Sequence, residues 1–227
     1  MPTESYQPSD RRPIASRNRK IFQTLAAILA DSHVSPNFIS VAGMVMGVAA
    51  GLLLAATNFV STLWVERSLW VAAAAGIQLR LLANMLDGMV ALASHKASPL
   101  GELYNEIPDR VSDAAIMIGA GYAAGGSPAL GYIAACVALL TAYIRAVGKA
   151  AGASDLFVGP MAKPQRMFVL TLGALLMAAL PTDWRPAWGD LHVSLPGAIL
   201  ALIIVGGLIT AGRRLNLIVR HLRGANS

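Results

Sequence analysis

Six long apolar runs divide this chain of 227 residues, and each is about the length that crosses the hydrocarbon core of a bilayer as a helix. Only 13% of the residues are charged, whereas a soluble domain averages about 25%. The third run is the least apolar, because polar residues occupy its first two turns. We place the runs roughly at 38–57, 68–91, 105–124, 128–150, 165–181 and 195–213. The sequence therefore predicts an all-α membrane protein with six transmembrane helices.

The segment before the first run divides into two parts. Residues 1–14 are polar and contain proline, which predicts a mobile tail. Residues 15–34 begin with basic side chains and continue with apolar residues at helical spacing. We predict a short amphipathic helix in the membrane interface, with a soluble amphipathic helix packed on the core as the alternative. Residues 35–215 then form the six-span domain, and residues 216–227 a cytoplasmic tail.

The distribution of lysine and arginine indicates the orientation. The N-terminal segment, the segment between the fourth and fifth runs and the C-terminal tail are basic, whereas the opposite loops hold Arg67 and Arg185. The positive-inside rule predicts that both termini are cytoplasmic, and we expect a bacterial inner membrane. The net charge of +6 could indicate a nucleic-acid partner. Because the basic residues lie beside apolar runs, we expect membrane lipid as a partner and no nucleic acid.

A row of glycines lies in the first apolar run. Gly43, Gly47 and Gly51 recur at every fourth residue, so they share one face of a helix. Small residues at this spacing allow a second helix to approach closely in a membrane. The row therefore predicts close helix packing rather than chemistry.

Two polar faces occupy the end of the second run and the start of the third. The first has spacings of three and four residues and consists of Asn84, Asp87, Gly88 and Ala91. The second is spaced by four and consists of Gly101, Asn105, Asp109 and Asp113. Because a short break joins the two runs, the helices are expected to be antiparallel neighbours with confronting polar faces.

The composition of these faces indicates a metal site. Ionisable groups next to hydrocarbon are costly, so they are functional candidates. Carboxylates and amide carbonyls supply the oxygen ligands that Mg²⁺ and Mn²⁺ prefer, and Mg²⁺ commonly bridges protein oxygens to substrate phosphates. The alternative is that these polar groups only pair across the helices.

This stretch resembles the signature of the CDP-alcohol phosphotransferase family, Asp-x2-Asp-Gly-x2-Ala-Arg followed after about eight residues by Gly-x3-Asp-x3-Asp. The spacing is complete and five of eight positions match in type. The matching positions are Asn84, Asp87, Gly88, Ala91, Leu92, Gly101, Asn105 and Asp109. Ser35-Pro36-Asn37 also resembles the Thr-Pro-Asn that precedes the first span in this family. The resemblance covers about residues 10–215.

The resemblance implies an enzyme of phospholipid biosynthesis. Such enzymes transfer a phosphatidyl group from CDP-diacylglycerol to an alcohol, here a polyol or polyol phosphate, and release CMP. Asp109 would be the catalytic base. The Mg²⁺ or Mn²⁺ site would use Asn84, Asp87, Asn105 and Asp109, with Asp113 as a further source of charge. The CDP-lipid positions would be Pro36, Asn37, Gly88, Ala91 and Gly101. A homodimer is left open.

The chain departs from the signature at three positions. Asparagine stands at two of the four acidic positions, and Leu92 replaces the arginine. An amide oxygen can bind a metal but contributes no charge, so we expect weaker metal binding. The sequence leaves open whether the site holds one ion, two or none. The alternative function is a degenerate homologue that binds a lipid head group or a partner protein. A transporter is a third reading, but a second broken helix typical of transporters is not evident in the sequence.

Four further basic residues are candidates. Asp109-Arg110-x2-Asp113 resembles a run in the phosphatidylinositol-phosphate synthase branch, in which basic residues bind the phosphate of the acceptor. Arg145, Lys163 and Arg166 occupy comparable places, although snorkelling and positive-inside anchoring would also explain them. Arg80, inside the second run, would bind a phosphate, pair with Asp113 or stabilise the bundle.

Overall fold

The computed structural model describes residues 19–32, 34–94, 98–153, 158–181, 187–188 and 193–224. The helices are α1 (Lys20–Asp31), α2 (Pro36–Ala56), α3 (Leu63–Ala93), α4 (Pro99–Tyr122), α5 (Pro128–Ala150), α6 (Lys163–Ala179) and α7 (Leu195–Gly224), and a 3-10 turn, Thr57–Phe59, follows α2. One strand pair, β1 (Ala187–Trp188) with β2 (Val193–Ser194), is antiparallel. The all-α prediction is confirmed, and the predicted tail 1–14 lies outside the described residues.

Within the described residues, four helices are long and apolar enough to cross a bilayer. They are Pro36–Phe59, Leu63–Ala93, Pro128–Ala150 and Leu195–Arg223, with mean hydropathies from 1.4 to 2.2. The other two predicted spans correspond to α4 and α6. Charged residues lie in the middle of α4, and α6 has 17 residues, slightly fewer than the roughly 20 of a typical span.

Helix α2 packs extensively against both α3 and α4, and its glycine row forms the contacts. A Cβ atom at Gly47 would lie 2.5 Å from the Cβ of Ser112, and one at Gly51 would lie 2.3 Å from the carbonyl oxygen of Ala115. Neither distance is sterically allowed, so the helices approach this closely because glycine occupies these positions. The predicted packing role of the row is confirmed.

Replacing Gly51 with alanine is expected to destabilise the bundle by about 1–3 kcal/mol, because α4 must move away from α2 to admit a methyl group. The matched control is Gly212→Ala in α7, where a Cβ would meet no atom within 4 Å. The control should be neutral or stabilising by up to about 1 kcal/mol, since alanine is the better helix former. Thermal unfolding in detergent would measure both, and equal melting temperatures would contradict the packing role.

Helix α1 packs on the end of α3 that carries the polar face. Leu25 and Ala26 belong to an apolar cluster that includes Leu86 and Val90 of α3. Two other apolar side chains of α1 remain exposed: Ile21 at 70% and Ile28 at 55%. A helix therefore lies within the predicted segment, at Lys20–Asp31, and it has apolar residues both against the bundle and on its outer surface.

Candidate active site

The polar faces of α3 and α4 meet at one pocket beside the start of α2. Its empty space is about 180 Å³. It is lined by Ser40, Gly43, Met44, Arg80, Asn84, Asp87, Asn105, Pro108, Asp109 and Ser112. The structure thus brings four of the five predicted metal-site residues into a shared pocket.

The start of α4 is set locally by Ser98. Its side-chain oxygen accepts a hydrogen bond from the backbone N–H of Gly101 at 3.1 Å, and proline occupies the first helical position. Both features favour a helix beginning at this point. Asn105 and Asp109 follow Gly101 at intervals of four residues, so they lie on the same face one and two turns further along the helix.

Asp87 is buried and held by two donors. Its Oδ2 accepts a hydrogen bond from the Ser40 hydroxyl at 2.6 Å, and its Oδ1 accepts one from the Gly88 N–H at 2.5 Å. The Ser40 oxygen also lies 3.2 Å from the carbonyl oxygen of Pro36. Sequence reasoning missed Ser40. The signal was its position one helical turn after Pro36, on the helix that follows the Ser-Pro-Asn motif.

The two asparagines contact each other across the helices. The side-chain amide of Asn84 donates to the Oδ1 of Asn105 at 2.7 Å. The Nζ of Lys163 donates to the Oδ1 of Asn84 at 2.7 Å and also forms an ion pair with Asp109. Lys163 is the first residue of α6, so a third helix contributes a cation to the polar faces of α3 and α4.

Asp109 is ion-paired through both carboxylate oxygens. The guanidinium of Arg80 lies 2.9 Å from Oδ1 and donates to the backbone carbonyl of the same residue at 3.0 Å, and Lys163 contacts Oδ2. Arg80 also donates to the Ser112 hydroxyl at 2.8 Å. The carboxylate assigned as the base is therefore held in position by α3 and α6.

Asp113 lies one helical turn after Asp109 on α4, outside the residues that line the pocket, and is 2% exposed. Its Oδ1 is 2.7 Å from Arg80, and its Oδ2 is 3.3 Å from Arg166. Arg166 is itself 3% exposed and donates to the carbonyl oxygen of Met161 at 3.1 Å. Of the three readings of Arg80, pairing with Asp113 is the one that the structure shows. Arg166, which the sequence assigned to the acceptor phosphate, is connected to the site by its ion pair with Asp113.

The three basic residues assigned to the acceptor phosphate contact three different carboxylates in the described part of the chain. Lys163 contacts Asp109, and Arg145 contacts Glu106. Arg166 contacts Asp113. Lys163 contacts two residues that line the pocket, Asn84 and Asp109, whereas Arg145 lies on a partly exposed surface and Arg166 is buried.

The predicted CDP-lipid positions lie on three helices and are not among the residues that line the pocket. Pro36 and Asn37 begin α2, one turn before Ser40. Gly88 and Ala91 follow Asp87 on α3, and Gly101 precedes Asn105 on α4. Each is half-buried, and they lie within about two helical turns of residues that line the pocket.

The residues of the pocket provide an oxygen-rich donor set. Within the described ranges, three or more His, Cys, Asp or Glu side chains do not group in a way that would hold a metal. The pocket instead offers the carboxylates of Asp87 and Asp109 with the amides of Asn84 and Asn105. Hard divalent cations accept this donor chemistry, and Mg²⁺ is often bound by one or two carboxylates together with substrate phosphates. The donor set is therefore of the kind that Mg²⁺ or Mn²⁺ accepts.

The fold and the pocket define a class of protein: a bundle of long apolar helices with a carboxylate and amide pocket at one end. Comparison with known proteins then identifies the family. The model of the CDP-alcohol phosphatidyltransferase family matches residues 33–212, so the chain belongs to this family. The resemblance drawn from the signature is confirmed, and with it the predicted class of enzyme, a transferase of phospholipid synthesis.

Two curated relatives are similar to this chain over most of its length. The inner membrane protein YnbA of Escherichia coli is 25% identical over 172 residues, which cover 76% of this chain and 81% of that protein. A phosphatidylinositol phosphate synthase of Mycobacteroides abscessus is 26% identical over 203 residues, which cover 87% and 83%.

Two crystal structures of Mycobacterium tuberculosis phosphatidylinositol phosphate synthase share the fold at 21% identity. The one with CDP-DAG bound has a TM-score of 0.67 and covers 88% of this chain and 94% of that chain. The one in complex with manganese and citrate has a TM-score of 0.69 and covers 87% and 88%.

Proposed function

We propose that this protein transfers a phosphatidyl group from CDP-diacylglycerol to an alcohol, either a polyol or a polyol phosphate, and releases CMP. The observation that carries the proposal is that Asp87 and Asp109, from separate helices, line one pocket with Asn84 and Asn105. The family match supports the reaction class, and the CDP-DAG bound to the M. tuberculosis structure supports the donor.

One Mg²⁺ or Mn²⁺ ion would be held by Asp87 and Asp109, with the amide oxygens of Asn84 and Asn105 as weaker ligands. Bound there, the ion would neutralise charge on the diphosphate of the donor. The manganese in one of the M. tuberculosis structures supports this cofactor. Asp113 is left out of this ligand set, because two arginines already contact its carboxylate.

Asp109 would accept the proton of the attacking hydroxyl. The alcohol oxygen then forms a bond to the phosphorus of the phosphatidyl group, and the bond from that phosphorus to the oxygen of CMP breaks. Arg80 positions Asp109 through its carboxylate and its backbone carbonyl. Ser40 orients Asp87 towards the same pocket.

For the acceptor, Lys163 is the predicted phosphate ligand that lies beside the reacting groups. The phosphate of a phosphorylated acceptor would have to displace the carboxylate of Asp109 as the partner of the Lys163 ammonium group. Arg166 would influence the acceptor indirectly, through its ion pair with Asp113. Arg145, on the partly exposed surface, would contact the acceptor directly. Phosphorylated and uncharged polyols should therefore be compared directly.

The site would open to the cytoplasm in a six-span protein of a bacterial inner membrane. The 17 residues of α6 rise by about 26 Å, close to the thickness of the hydrocarbon core. Apolar side chains such as Phe168 and Leu172 face outward from this helix. The exposed Ile21 and Ile28 of α1 support a place in the interface. Basic termini favour the cytoplasmic side, and the name of the E. coli relative supports the membrane.

The test incubates the purified protein with CDP-diacylglycerol, Mn²⁺ or Mg²⁺, and pairs of acceptors that differ by one phosphate, such as inositol and inositol phosphate or glycerol and glycerol phosphate. We expect CMP release that depends on one acceptor pair, measured against a reaction without acceptor. The M. abscessus relative serves as the active control. No CMP release with any acceptor, beside an active control, would overturn the proposal in favour of the binding protein without turnover.

A further inference from the structure

The ammonium group of Lys163 contacts two oxygen atoms that would be ligands of a metal ion. It donates to the Oδ1 of Asn84 at 2.7 Å and forms an ion pair with the Oδ2 of Asp109. Both oxygens belong to the candidate ligand set. The side chain of Lys163 is 15% exposed and that of Asp109 is 14% exposed, so bulk water screens this pair only in part.

The position of Lys163 in its helix is unfavourable without such a partner. It is the first residue of α6, where the helix dipole presents positive potential and disfavours a cation. The contact with Asp109 offsets this cost. The contacts with Asn84 and Asp109, rather than the helix dipole, therefore favour the ammonium group at this position.

The charges of the three aspartates of the site and of the three cations that contact Asp109 and Asp113 sum to zero without a metal ion. The three carboxylates are those of Asp87, Asp109 and Asp113, and the three cations that contact the last two are those of Arg80, Lys163 and Arg166. Aspartates at positions 84 and 105, as in the family signature, would add two negative charges. One divalent ion carries two positive charges, so the two asparagines remove the charge that an additional ion would neutralise.

We propose that Lys163 is a resident cation of this site, which takes the place of one metal ion between Asn84 and Asp109. The pocket then holds at most one divalent ion, and that ion competes with the ammonium group for Asp109. This inference deepens the proposed function, since it concerns the same metal site, but it concerns binding of the ion rather than turnover.

The test measures Mn²⁺ binding to the purified full chain in detergent without substrate, by the electron paramagnetic resonance signal of free Mn²⁺. Lys163→Met removes the charge and keeps the length of the side chain. We expect it to raise the affinity for Mn²⁺ at least about tenfold, because a positive charge within a few ångströms of the ion is lost. The control is Lys20→Met, which removes the same charge from an exposed site on α1 and should leave the affinity unchanged.

A second variant keeps the test independent of how well Lys163→Met folds. Asn105→Asp adds one negative charge to the pocket and should also raise the affinity for Mn²⁺. The wild type should bind no more than one ion per chain. The inference is overturned if the wild type binds two ions, or if Lys163→Met, folded as judged by thermal unfolding, binds Mn²⁺ within twofold of Lys20→Met.

Metal binding and CMP release separate the two proposals. Tighter Mn²⁺ binding by Lys163→Met, in a protein that releases no CMP with any acceptor, supports the resident cation and overturns the proposed function. CMP release by the wild type, together with unchanged Mn²⁺ affinity in Lys163→Met, supports the proposed function and overturns the resident cation.

Discussion

Replacing Asp109 with asparagine is expected to abolish CMP release, with a loss of at least about 10²-fold to 10⁴-fold, the usual contribution of a positioned acid or base. Asparagine keeps the shape of the side chain but cannot accept the proton of the alcohol. It also leaves Arg80 and Lys163 facing a neutral group. The measurement is the rate of CMP release at saturating CDP-diacylglycerol with the best acceptor from the panel.

Asp31→Asn is the control for this variant. It is the same chemical change at an exposed position on α1, and the rate should stay at the wild-type value. Thermal unfolding of both variants would show that the bundle is intact. A wild-type rate in Asp109→Asn would remove this carboxylate from the mechanism.

Replacing Arg80 with methionine is expected to cost about 3–5 kcal/mol of stability, the usual cost of removing one partner from a buried ion pair. Arg80 is 1% exposed and contacts both Asp109 and Asp113. Methionine fills much of the same space. Of the two arginines that contact Asp113, Arg166 then remains as its ion-pair partner. Thermal unfolding in detergent would measure the loss.

Two further variants make this result specific. Arg110→Met removes an arginine whose partner Glu106 is 48% exposed, and such pairs contribute about 0–1 kcal/mol. Asp113→Asn, combined with Arg80→Met, removes the carboxylate that Arg80 and Arg166 share. Because both changes remove the same contact between Arg80 and Asp113, the stability lost by the double variant should be smaller than the sum of the losses of the two single variants. A melting temperature of Arg80→Met no lower than that of Arg110→Met would contradict the structural role of Arg80.

The sequence determined the helices and the composition of their polar faces. Helical spacing is a local property, so intervals of three and four residues place Asn84 with Asp87 and Asn105 with Asp109. Proline at the first position of α2 and α4 marks where each helix begins. The family signature depends on the same local spacing, which is why it was legible before any tertiary contact was known.

Only the tertiary structure decided which cation contacts which carboxylate. Lys163 lies 54 residues from Asp109, and Arg166 lies 53 residues from Asp113. From the sequence, both basic residues fitted an acceptor site or, more commonly for such residues, a membrane anchor. Their pairing depends on how α6 packs against the rest of the bundle, and the periodicity within one helix carries no information about the helix opposite.

The hydrogen bond from Ser40 to Asp87 spans 47 residues and has the same origin. It forms because the glycine row of α2 allows close contact with α3 and α4, which brings the first turns of α2 to the pocket. Local patterns thus determined which side chains share a face of one helix. Packing between helices determined how deeply the polar faces are buried where they meet. It also determined which charged groups lie next to each side chain.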